Sequence, residues 1–99
     1  MIWEMSMGEI GGLAASSAAD QGFDEGRLNK IGPAMASAVE SRHVSGAVTV
    51  VARRGKVVHS NVVGSLDLDA QDGKLGMNSL FRMYSQSKPV CAVVTMSLF

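Results

Sequence analysis

The sequence predicts an α/β domain of the α+β type: an amino-terminal helix, an antiparallel β-hairpin, and a second helix that carries a candidate nucleophile. Three observations predict it. Leu28, Ile31, Met35, Ala38 and Val39 recur at three- and four-residue steps, the apolar stripe of an amphipathic helix. Two runs rich in β-branched residues, Ala47 to Arg53 and Val57 to Val63, flank Arg54-Gly55-Lys56, which reads as a tight turn. Val90, Val93, Val94, Met96, Leu98 and Phe99 then form an apolar run with helical spacing directly after Ser85-Gln86-Ser87-Lys88-Pro89.

The chain has 99 residues, enough for one small domain with a thin core. Hydrophobic residues make up 46% and charged residues 18%, a globular rather than disordered composition. Nine basic residues balance nine acidic ones, so no net positive field marks the chain for nucleic acid or an anionic membrane. Cys91 is the single cysteine, which excludes an internal disulfide and a cysteine-based zinc cluster and reads as a small buried apolar residue.

Residues 1–22 mix Gly, Ala and Ser with Glu4, Glu9 and Asp20 and read as a flexible leader ahead of a domain over 23–99. The start lacks the basic residues and unbroken apolar stretch of a signal peptide, which favours a cytoplasmic location. Trp3 and the nearby methionines read as part of a poorly ordered terminus, the alternative being a docking element for a partner. Asp24 is the expected N-cap of the first helix. Gly32-Pro33 interrupts the stripe, so either the helix kinks there or a short turn precedes a helix starting near Pro33 and ending near His43.

Apolar residues on both faces of the first strand, Val48 and Val50 against Thr49 and Val51, place it inside a larger sheet covered on both sides. His59 and His43 have no second ligand at metal spacing and read as structural, and no metal or cofactor is expected. Asp67 opens an acidic run, but the sixth and twelfth positions from it hold Asp72 and Asn78 instead of glycine and glutamate; the segment is a solvated turn, not a calcium loop. The final helix, apolar around most of its circumference, is expected to be central and buried.

The chemistry concentrates at Ser85 and Lys88. On a helix, residues at i and i+3 share a face, so the amine can reach the hydroxyl. A serine becomes a nucleophile when a neighbouring base takes its proton, and a lysine serves once burial or positive potential favours its neutral form. A helix N-terminus supplies such potential, and the unpaired N–H of Ser85 can face a developing oxyanion. Pro89 suits the first helical turn.

Leu80-Phe81-Arg82-Met83-Tyr84-Ser85-Gln86-Ser87-Lys88-Pro89-Val90 resembles the nucleophile segment of serine hydrolases of the class C β-lactamase and penicillin-binding-protein type, above all their esterase members. Gly46 to Val58 is similar to the first strand pair of that family, and the resemblance extends over about residues 23–99. It implies a β-lactamase-like fold, Ser85 as the acylated nucleophile and Lys88 as its proton acceptor, with a small-molecule ester or β-lactam as substrate. The family's Tyr-x-Asn and Lys-Thr-Gly motifs have no counterpart; Gln86 stands where the former needs asparagine after Tyr84. The chain therefore reads as a truncated, amino-terminal portion of such a domain.

Two further readings stay open. The chain is a non-catalytic fragment that folds by self-association or with a complementary chain, or Ser85 is an N-cap and Lys88 a solvated first-turn residue.

Overall fold

The computed structural model describes residues 9–69 and 73–99. The architecture is α+β. Two short strands, β1 (Glu9–Ile10) and β2 (Leu13–Ala15), precede two helices, α1 (Glu25–Leu28) and α2 (Ile31–Glu40). A hairpin of β3 (Gly46–Arg53) and β4 (Lys56–Gly64) follows, and the chain closes with α3 (Ser87–Met96). The strands form one mixed sheet in the order β1-β2-β4-β3, with β2 parallel to β4 and the other pairs antiparallel.

The hairpin forms because β-branched residues fill both strands and because Arg54-Gly55 turns the chain in two residues. Both carry positive φ, 54° and 74°, as a type I′ turn requires. A register shift between Val51 and Ala52 bulges the pair. At the far end Gly46 faces Gly64. A Cβ on Gly64, whose φ is +85°, would collide with the carbonyl oxygen of Ser45, and one on Gly46 would lie 2.7 Å from that of Ser65. Only glycine allows this approach.

Within the stretch expected as a leader, residues 1–8, and with them Trp3, lie outside the described residues, and strands begin at Glu9. Gly11-Gly12, at φ 60° and 80°, closes a miniature β1-β2 hairpin, and β2 then pairs with β4. The Ser16 N–H donates to the Val57 carbonyl at 2.8 Å. Ala18, at 6% exposure, and Val57, at 4%, are the buried hydrophobic residues of this thin core. The pairing occurs because β4 has a second edge whose N–H and C=O groups need partners.

The Asp24 carboxylate accepts the Arg27 N–H at 3.0 Å, so it is the N-cap of α1 as expected. The two alternatives at Gly32-Pro33 resolve into a short first helix and a second that begins at Ile31, with Pro33 in its first turn. That second helix stops at Glu40, short of His43. Arg42 at φ 60° lets its own N–H reach the Val39 carbonyl and lets the His43 N–H reach that of Ala38, a Schellman ending. His43 Nδ1 lies 2.6 Å from Ser41 Oγ, a local structural contact.

Helix α2 packs on β4 and β3. It covers the face carrying Asn61, whose amide lies 3.4 Å from the position of a Cβ on Gly32. Thr49 Oγ1 and His59 Nε2 are buried without a hydrogen-bond partner. Two expectations fail here. The first hairpin strand, β3, is an edge strand and Val50 is exposed, because no described strand pairs with its outer side. The final helix is not central: every residue from Leu80 to Phe99 is exposed, Cys91 among them, against the burial expected of it. No described helix is long and apolar enough to cross a membrane.

Candidate active site

The segment that presents Ser85 begins where β4 ends. Ser65 pairs with Lys74 in an isolated bridge, and a turn follows in which the Ser79 N–H donates to the Gly76 carbonyl at 3.1 Å. The Gly76 N–H in return donates to Ser79 Oγ at 2.9 Å. Residues 80–83 then run without regular structure, and Leu80 is 98% exposed.

Tyr84 redirects the chain. Its φ of +46° lies in the left-handed region, which costs a non-glycine residue about 1–2 kcal/mol. The result is a 3-10 turn over Tyr84–Gln86 that passes directly into α3. The Tyr84 ring is held from one side by Arg82. Arg82 Nη1 donates to the Tyr84 hydroxyl at 3.2 Å, and the guanidinium carbon lies 5.5 Å from the ring centroid.

Ser85 occupies the middle of the 3-10 turn, with an exposed side chain, and Lys88 sits in the first turn of α3, also exposed. The expected helix from Ser85 thus begins as a 3-10 turn, in which residues three apart eclipse, so the i, i+3 relation survives the tighter winding. The structure brings these two residues to one helix start, and no hydrogen bond joins them among the described residues. The Ser85 carbonyl accepts the Ser87 N–H, which locks the turn. Pro89 stands third in α3, where a missing N–H breaks no helical bond.

Sequence reasoning missed the Arg82–Tyr84 clamp and the left-handed backbone at Tyr84. No residue-type signal marks them, since an aromatic side chain carries no preference for positive φ. No group of three or more potential metal ligands occurs among the described residues. Chemically, the arrangement offers an exposed hydroxyl, an amine three residues on, and the free N–H groups at the start of a helix.

The family model described as Beta-lactamase matches residues 30–99, from the residue before α2 through the end of α3 and beyond. Among curated proteins no relative matches this chain.

Proposed function

Because the chain belongs to the Beta-lactamase family, a serine hydrolase superfamily, we propose that it forms an acyl-serine intermediate, with Ser85 as nucleophile and Lys88 as its base. The Ser85 oxygen attacks the carbonyl carbon of the substrate, and its proton passes to the Lys88 amine. The carbonyl electrons move onto oxygen, where the Ser85 N–H stabilises the charge, and return as the leaving group departs with the proton from Lys88. Water then attacks the ester in the same manner and frees Ser85.

The observation that carries this reading is the strained turn at Tyr84, which sets an exposed serine directly before a helix start with lysine three residues later. Left-handed backbone at a bulky residue persists only where its surroundings hold it, and such positions cluster at functional sites. Tyr84 and the Pro89-Val90 pair resemble the esterase members of the family, so carboxylic esters are the favoured substrates over β-lactams.

Hydrolysis of a short-chain chromogenic ester, run beside a chromogenic β-lactam, tests the reading. Turnover of the ester should exceed that of the β-lactam and vanish in Ser85→Ala, while Lys88→Met should lower kcat by about 100-fold or more. Equal rates in wild type and Ser85→Ala would refute it.

A further inference from the structure

We infer that Arg82 is a positioning residue for the proposed reaction, a role that rests on the acyl-serine reading: its guanidinium clamps Tyr84 in the left-handed region and thereby sets how Ser85 meets α3. Three non-glycine residues have positive φ among the described residues, Arg42, Arg54 and Tyr84. Backbone motifs account for the first two, a Schellman ending at Arg42 and a type I′ turn at Arg54. Tyr84 stands neither at the end of a helix nor in a two-residue hairpin. Its neighbours are ordinary, with φ −92° at Met83, −67° at Gln86 and −69° at Ser87, so the reversal is confined to one residue. What sets Tyr84 apart is its side chain, which takes both the hydrogen bond from Arg82 Nη1 at 3.2 Å and the guanidinium over its ring at 5.5 Å.

The turn that this reversal opens carries the candidate nucleophile. The Gln86 N–H donates to the Met83 carbonyl at 3.0 Å across Tyr84 and Ser85, and the Ser87 N–H reaches the Tyr84 carbonyl. Both acceptors flank the left-handed φ. Rotation of Tyr84 to a negative φ would swing them out of line and turn the Ser85 hydroxyl and N–H away from the start of α3. Arg82 is free for this task, since no carboxylate lies in ion-pair range of it among the described residues. Among those residues it makes no side-chain hydrogen bond to Ser85 or Lys88, so its influence runs through Tyr84. Because Tyr84 is 75% exposed, the clamp biases the backbone by about 5- to 10-fold and does not lock it.

Ester hydrolysis and the rate of adduct formation with a serine-directed fluorophosphonate test this role in Arg82→Met, Arg82→Lys, Tyr84→Gly, and Arg82→Met combined with Tyr84→Gly. Both positions are exposed, and circular dichroism should show every variant folded like wild type. Arg82→Met should lower kcat and the adduct rate about 5-fold or more with KM unchanged, and Arg82→Lys, which keeps a cation and a donor, should restore most of the loss. Glycine takes positive φ without steric cost, so in the Tyr84→Gly background Arg82→Met should change nothing further. A second readout is independent of activity. At positive φ the amide and α protons of Tyr84 lie on the same side of the N–Cα bond, and the strong nuclear Overhauser effect between them should weaken in Arg82→Met. An undiminished effect overturns the clamp, and a weakened one with unchanged kcat and adduct rate overturns the positioning role. A rise in KM alone, or an equal loss in the Tyr84→Gly background, overturns it in favour of direct contact between Arg82 and substrate. A wild type inert towards both ester and fluorophosphonate refutes the acyl-serine reading and the positioning role with it, while the proton measurement separately decides whether Arg82 holds Tyr84.

Discussion

Tyr84 and Ser85 join a strained residue to an exposed one. The +46° φ of Tyr84 is unfavourable by itself, and the Arg82 contact to both its hydroxyl and its ring offsets part of that cost. Elsewhere a residue carries a cost with no offset: Thr49 Oγ1 is buried beneath α2 without a partner. A buried unsatisfied hydroxyl is unfavourable by about 1–3 kcal/mol, and valine has nearly the same shape. Thr49→Val should therefore raise stability by about 1 kcal/mol, read as a higher urea midpoint with an unchanged slope. The placing of Ser85 and Lys88 at one helix start was legible in the sequence because the apolar spacing after them marks a helix. The left-handed turn before it was not, since an aromatic residue carries no preference for positive φ.

Elements end where the backbone can turn, and α2 ends on an arginine. Arg42 serves as the left-handed residue of a Schellman motif, a position glycine fills without steric cost. Its ion pair with Asp69, at 3.0 Å, joins two strongly exposed side chains and contributes little. Arg42→Gly should accordingly stabilise the chain by about 0.5–1 kcal/mol, the relief of strain exceeding the added entropy of the unfolded glycine; a lower thermal midpoint would contradict this. The same position shows why the sequence placed the helix end near His43: the usual stop residue is absent. The β3-β4 hairpin was legible because β-branched runs flank a two-residue turn. The Gly11-Gly12 turn carries the same signal, but the strands beside it are two and three residues long, too short to show alternation. Their stability comes from the edge of β4, which lies over forty residues later in the chain.

At the scale of the whole molecule, the sheet with α2 forms one body and α3 stands apart from it. The radius of gyration is 15.9 Å, whereas a compact chain of 100 residues has about 13 Å. An apolar helix reads as buried because water disfavours its surface, yet burial needs a second layer, and the described chain places none over α3. This is why the sequence located the helix correctly and its surroundings incorrectly. Few contacts should leave α3 open to local unfolding in the monomer. The amide hydrogens of Ser87–Met96 should exchange far faster than those of β4; equal protection of both elements would contradict the arrangement.

The proposed activation of Ser85 is tested most directly by the intact mass of the protein before and after a serine-directed fluorophosphonate, run beside Ser85→Ala. Wild type should gain one adduct and Ser85→Ala none, which would establish Ser85 as a nucleophile in this chain. An unlabelled wild type, or an adduct that persists in Ser85→Ala, would contradict the account.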